Sequence, residues 1–340
     1  MKSLMLTETL EAAEVVTRQM ASDQALYDDF GALLRGSPQH AMLTLARGSS
    51  DHAAHFLAYL TMSRLGQLVT SMPMSLVTLY HSHFNAKKIV SFAFSQSGQS
   101  PDLIEPTRLF RRGGGITAAF VNQSDSPLAR EAQWLFPLHA GEEKSVAATK
   151  SFIAQLVAGA RVVAHWQENR QLEKALSQLP DIMAQAVQVS WQEAVDTFVS
   201  VDRLMVIGRG TGMPVALEAA LKLKETCSIQ AEAFSGAEVR HGPMRLIEEG
   251  YPLLVFAPRG PTQPGLLSFA AEMRERGAKV LLAAPVGTEG MNLPIMASHD
   301  IDLDPVSMIQ SFYPMVEALA RAKGFDPDQP RFLSKVTRTQ

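Results

Sequence analysis

Residues 90–106 read "VSFAFSQSGQSPDLIEP". A largely apolar run, Val90 to Phe94, stops in a cluster of hydroxyl and amide side chains: Ser95, Gln96, Ser97, Gly98, Gln99 and Ser100. Pro101-Asp102 then opens a helical pattern, because proline is well placed in the first turn of a helix. Buried strand, polar turn and helix together make the front half of a β–α–β unit. The turn itself has two readings. Ser, Gly, Pro and Asp are ordinary turn formers, so it can be a plain polar loop. It can also be an anion cradle, with helix N–H groups, helix dipole and hydroxyls converging on one phosphate.

The same strand–turn–helix grammar recurs along the chain. "HAMLTLARGSSDHAAHFLAYL" (40–60) is matched by "DRLMVIGRGTGMPVALEAALKL" (202–223), and "LFRRGGGITAAFVNQ" (109–123) by "EMRERGAKVLLAAPV" (272–286). Both pairs keep an offset of roughly 160 residues, which marks a long-period duplication. Candidate strands are 41–46, 67–70, 89–94, 116–121 and 134–138 in the first half. In the second they are 203–207, 229–233, 252–257, 279–284 and 299–303. Short apolar strands alternating with helices predict an α/β fold, with two parallel sheets each covered by helices. A helical segment over about 4–34 precedes the first half. A mostly helical stretch, 147–198, separates the halves and is expected to break at "SQLPD" (177–181). The expected organisation is a helical segment 1–36, a first domain 37–165, a helical connector 166–198, a second domain 199–324 and a tail 325–340.

Composition narrows the function. Hydrophobic residues make up 46% of the 340 and charged residues 19%, as in a well-packed globule. The net charge of −3 gives no electrostatic reason to expect nucleic acid or an anionic membrane as partner. No apolar run is long enough to span a bilayer. The opening "MKSLMLTETLEAAEVV" lacks the apolar block of a secretion signal, and the one cysteine, Cys227, excludes an internal disulfide framework, so a cytoplasmic protein is expected. The "GRGTG" turn lacks dinucleotide spacing and a following acidic strand end.

Five segments, in order, resemble one family. "ARGSSDHAAHF", "SQSGQSPD", "GEEKSVAATKSF", "ALKLKETCSIQAEAFSGAEVRHGP" and "DPDQPRFLSKVT" are similar to the sugar isomerase (SIS) domain proteins. More narrowly, they resemble the tandem isomerase half of glucosamine-6-phosphate synthases and the stand-alone, isomerising glucosamine-6-phosphate deaminases. The resemblance spans about residues 40–337. It implies two SIS domains, doubly wound and related by duplication. It also implies that Ser95, Gln96, Ser97 and Ser100, helped by Ser50, hold a sugar phosphate, the hydroxyls gripping the dianion without formal charge. Gln99-Ser100 replaces the synthases' Glu-Thr and keeps the hydroxyl.

Chemistry concentrates in residues 220–243. Lys222 and Glu225, three apart, share a helix face; on a surface that would be a weak ion pair. In the family the glutamate of this Leu-Lys-Leu-Lys-Glu motif moves a proton between adjacent sugar carbons, which assigns that role to Glu225, with Lys222 as companion cation and Lys224 pointing elsewhere. His241 in "EVRHGP" matches the ring-opening histidine, which relatives supply from a partner subunit, so a homodimer with shared sites is implied. Lys335 matches the tail lysine that contacts the open-chain sugar at C2. Val146 and Ala148 match a segment lying near the amino sugar; Ala148 replaces a serine there, and Thr149 is the nearest substitute hydroxyl. His52/His55 and His81/His83 lack the companions of a zinc site, and Cys227 lacks a nucleophile's partners, so these read as structural.

The resemblance implies no metal or organic cofactor. The chain opens "MKSLM", without the amino-terminal cysteine of a synthase's glutaminase domain. The expected reaction is therefore glucosamine 6-phosphate plus water to fructose 6-phosphate plus ammonia. Two alternatives remain: a deglycase splitting 6-phosphorylated sugar–amino acid adducts, and a non-catalytic sugar-phosphate sensor.

Overall fold

The computed structural model describes residues 2–37 and 39–335. Its contacts divide the chain into two compact units. One comprises Glu14–Glu143, Lys150–Ser177 and the segment from Ser334; the other comprises the chain up to Ala13, Lys144–Thr149 and Gln178–Leu333. The expected opening helical segment is two helices, α1 (Leu4–Met20) and α2 (Gln24–Gly36), because Asp23 takes a left-handed φ of 61° between them.

In the first unit β1 (Ala41–Leu45), α3 (Gly48–Leu65), β2 (Val69–Ser71), α4 (Ser75–Thr78) and β3 (Ile89–Ser95) lead into α5 (Pro101–Arg112). β4 (Ile116–Val121), α6 (Pro127–Glu131), β5 (Trp134–Pro137) and α7 (Lys150–Gln167) follow. The strands form one parallel sheet in the order β2-β1-β3-β4-β5. Its central strands are buried on both faces, which is why they read as continuous apolar runs. Phe120 stacks between Phe94 and Phe136, with ring centroids 4.3 and 4.8 Å away. Aromatic packing of this kind fixes the strands whose ends carry the polar turn.

Next come α8 (Arg170–Ala186) and α9 (Gln192–Phe198). The break expected at 177–181 does not occur: Pro180 lies inside α8. The interruption falls earlier, at Glu168, whose φ is 54°, and Asn169 Oδ1 caps the new helix by accepting Leu172 N–H at 3.0 Å.

The second unit holds β6 (Arg203–Gly208), α10 (Met213–Cys227), β7 (Gln230–Ser235), β8 (Pro252–Phe256), α11 (Gln263–Glu275), β9 (Lys279–Pro285), β10 (Leu293–Ile295) and α12 (Asp304–Ala322). Its sheet is also parallel, in the order β10-β9-β8-β6-β7. Counted within the unit, that is the 2-1-3-4-5 order of the first sheet, so the duplication is one of topology as well as sequence. The fifth strand is not at 299–303. It is the three-residue β10, while 301–303 form a 3₁₀ turn capped by Asp300, whose side chain accepts Asp302 N–H at 3.0 Å. Gly208 shows why the "GRGTG" turn needs glycine: a Cβ there would lie 2.7 Å from Gly212 O and 2.8 Å from Ala216 Cβ. The turn is shaped by close packing of α10 on its strand. Among the described residues no helix is long and apolar enough to cross a membrane.

Candidate active site

The polar turn after β3 is an ordered cradle. Ser95 is buried at the strand end, and its hydroxyl accepts the Gly98 N–H at 2.9 Å. Gly98 has φ +62°, and a Cβ on it would fall 2.1 Å from Ser126 Oγ, so only glycine lets the turn close. Ser97 Oγ accepts Gln99 N–H at 3.4 Å. Ser100 is the N-cap of α5, yet its side chain makes no capping bond to the helix. Ser50, in the first turn of α3, accepts Gln155 Nε2–H at 3.0 Å and keeps its own O–H to donate. Asp102, buried in the first turn of α5, is bonded at 3.0 Å by Arg47.

Lys335, in the same unit, is docked on Glu143. The Glu143 side chain is fully buried and accepts Lys335 Nζ at 2.8 Å, Ser151 Oγ at 2.6 Å and Ser151 N–H at 3.1 Å. Lys150 Nζ donates to Glu142 O at 2.5 Å. The adjoining stretch 144–149 belongs to the second unit. There Val146 N–H donates to Asp328 O at 3.3 Å, and Glu8 accepts the Ser145 N–H. Asp328 in turn caps α1, taking Leu4 N–H at 2.8 Å and Met5 N–H at 2.7 Å. Ala148 is half-buried, whereas Thr149, its nearest substitute hydroxyl, is completely buried.

Along α10 the structure joins Lys222 and Glu225 and adds a third member. Lys222 Nζ lies 2.6 Å from Glu225 Oε2 and 3.3 Å from Glu218 Oε1, and Tyr313 Oη donates to Glu218 at 3.4 Å. The weak surface pair is thereby excluded. Lys222 and Glu218 are buried, and Glu225 is the one member with appreciable exposure, at 22% of its side chain. Burial opposes the Lys222 charge, but Glu218 and then Glu225 outweigh it, leaving the pKa above the ordinary lysine value. Chemically, this is a carboxylate held in position by a lysine that its neighbours keep charged, and partly open to solvent. Lys224 is exposed, away from the cluster.

His241 stands apart from these carboxylates. Itself exposed, it closes the 3₁₀ turn Glu238–His241 and makes no hydrogen bond or ion pair with a described residue; Gly242 after it has φ 146°. Cys227 is buried against Val316 O, and burial pushes its thiol up to about 11, which suits packing and not nucleophilic attack. Among the described residues no cluster of three or more His, Cys, Asp or Glu could hold a metal.

Sequence reading passed over Glu218 and Glu143. Glu218 was signalled by its spacing of four and seven residues before Lys222 and Glu225, one helical face. Glu143 lies in the "GEEKSVAATKSF" segment, but nothing local signalled its pairing with Lys335, 192 residues away.

The SIS domain family matches residues 37–164 and 197–313. An isomerising glutamine–fructose-6-phosphate aminotransferase of Aeropyrum pernix is 34% identical over 320 residues, covering 88% of this chain and 51% of that protein. The corresponding Bradyrhizobium diazoefficiens protein is 32% identical, covering 95% of this chain and 55% of its own length. The chain thus spans about half the length of these relatives. Among crystal structures, a candidate phosphosugar isomerase of Silicibacter pomeroyi superposes with a TM-score of 0.91 at 38% identity, covering 96% of this chain and all of that one. A glucosamine-6-phosphate deaminase of Thermotoga maritima shares the fold, with a TM-score of 0.79 at 20% identity over 99% of this chain and 100% of that one. With both sheets, both matched segments and these relatives in agreement, the chain belongs to the SIS domain family, with two matched segments in tandem.

Proposed function

We propose that this protein is an isomerising amino-sugar phosphate deaminase, converting glucosamine 6-phosphate and water to fructose 6-phosphate and ammonia. The observation that carries the reading is the Glu218–Lys222–Glu225 cluster, in which Glu225 alone of three charged groups is open to a substrate. His241, contributed by a second copy of the chain in a homodimer, moves the proton from the C1 hydroxyl to the ring oxygen, and the pyranose opens to the aldehyde. Glu225 takes the C2 proton and returns it to C1, passing through an enolamine to the C2 imine. Water adds at C2, and ammonia leaves with the C–N electron pair and a proton. Ser50, Ser95, Gln96, Ser97 and Ser100 hold the phosphate; Lys335 stabilises the open chain, the buried Lys222 acts on it only by holding Glu225 in place, and the Val146–Ala148 segment borders the amine.

Ammonia release and fructose 6-phosphate formation by the purified chain test the reading. Equal yields are expected, with Glu225→Gln slower by about 10²–10⁴-fold. If the sugar phosphate binds and neither product forms, the deaminase reading falls. Phosphorylated sugar–amine adducts are then the substrates to assay, and a sensor is the conclusion if those are also untouched.

A further inference from the structure

We infer that Arg47 is a further substrate-binding residue, bringing to the phosphate cradle the formal positive charge that its hydroxyls lack. The inference rests on the sugar-phosphate reading above. Sheet register places the residue. β1 and β3 pair with Leu45 opposite Ala93, so two positions further on Arg47 leaves the sheet level with Ser95, where the cradle begins. In a 2-1-3-4-5 sheet the neighbouring ends of strands 1 and 3 are the topological switch point, the crevice in which open parallel sheets take their ligands.

Electrostatics supplies the second argument. Asp102 sits in the first turn of α5, only 3% exposed, directly after the cradle. A carboxylate there repels an incoming dianion, and Arg47 offsets that charge through its 3.0 Å bond. The bond uses one terminal nitrogen, while 55% of the Arg47 side chain remains open to solvent. A guanidinium moored on one edge is pre-organised to present its remaining N–H donors, a planar fork that matches phosphate oxygens as a lysine cannot. Arg47 also precedes Gly48 (φ +54°) in the turn that delivers Ser50, so cation and hydroxyl arrive on one rigid segment.

Binding of inorganic phosphate and of fructose 6-phosphate to wild type, Arg47→Gln and Arg47→Lys, measured by titration calorimetry, tests this without requiring turnover. Arg47→Gln is expected to weaken both ligands by roughly tenfold to a hundredfold, the span of a charge-assisted hydrogen bond. KM for the amino-sugar phosphate should rise in step, with kcat affected far less. Arg47→Lys keeps the charge without the fork and should fall between. If Arg47→Gln binds both ligands as wild type does, or loses kcat with phosphate binding intact, the inference is overturned. Should Arg47→Gln not fold, Arg47→Lys decides, and undiminished phosphate affinity refutes the fork. If wild type binds phosphate yet releases no ammonia, only the reaction assignment falls. If wild type binds neither ligand, the sugar-phosphate reading fails and the role of Arg47 fails with it.

Discussion

Lys335 Nζ lies 2.8 Å from Glu143 Oε2, an exchange between the tail and a carboxylate 192 residues earlier. The pair ties Lys335 to the start of α7, since Glu143 also holds both the amide and the hydroxyl of Ser151. A tail with little helical periodicity would fray without such an anchor. Lys335→Ala is expected to cut turnover by about 100-fold or more, as for removal of a positioned catalytic group. It should also speed protease cleavage near the carboxyl terminus. Limited proteolysis beside a turnover assay separates the two effects. Loss of activity with an equally protected tail would mean that the ammonium acts on substrate and does not anchor the chain.

Lys222 sits between two carboxylates in a buried environment. Lys222→Met leaves Glu218 and Glu225 without their shared cation and is expected to cost about 3–5 kcal/mol, the penalty for breaking a buried ion pair. Urea denaturation measures it. The doubly neutral Lys222→Met/Glu218→Gln should recover part of the loss, because one of the stranded charges is gone.

The same group sets an alkaline limit. Its folded-state pKa is raised above the unfolded value, so its contribution to stability is complete below the ordinary lysine pKa. That contribution is lost as pH climbs above the ordinary value towards the folded one. Buried Tyr27, also raised by desolvation, acts in the same direction. The difference in stability between wild type and Lys222→Met should therefore be flat through neutral pH and narrow only in the strongly alkaline range. A difference that narrows below pH 9 would mean that Lys222 is not held charged by its neighbours.

Both sheets were legible in the sequence because strands buried on two faces leave unbroken apolar runs, as β3, β4 and β8 do. β10 was not. It has three residues with proline in the middle, at a sheet edge where few ladder bonds are needed, and neither length nor alternation marks it. Pro180 misled in the other direction: tertiary packing of α8 overrode a local breaker. At the site, Lys222 and Glu225 were readable from helical spacing, whereas Glu143 and Arg47 owe their positions to partners distant in sequence. Residue spacing has no access to such contacts.

Gly98 is the point where the cradle can be broken without touching a ligand group. Alanine there meets a left-handed φ of +62° and a Cβ–Ser126 Oγ separation of 2.1 Å. Backbone strain of this kind costs about 1–3 kcal/mol before the clash is counted. Gly98→Ala is expected to lower the thermal midpoint and weaken phosphate binding together, since the Gly98 N–H to Ser95 bond would also be displaced. Removing the obstructing hydroxyl in Gly98→Ala/Ser126→Gly should return part of the affinity. Calorimetry with inorganic phosphate reads both variants.

The isolated position of His241 leads to a test of the shared site. Exposed on its 3₁₀ turn, it makes no bond to the α10 carboxylates of its own chain. If a partner copy supplies it, Glu225→Gln and His241→Ala, each inactive alone, must complement when co-expressed. In every mixed dimer one site then combines a native Glu225 from one copy with a native His241 from the other, and its companion site lacks both. With half of the dimers mixed and one of two sites intact, about a quarter of wild-type activity should return. Were both residues drawn from the same chain, no dimer would contain a complete site and the mixture would stay silent. The activity of the mixture thus reports the geometry of sharing directly, with each single variant as its own blank.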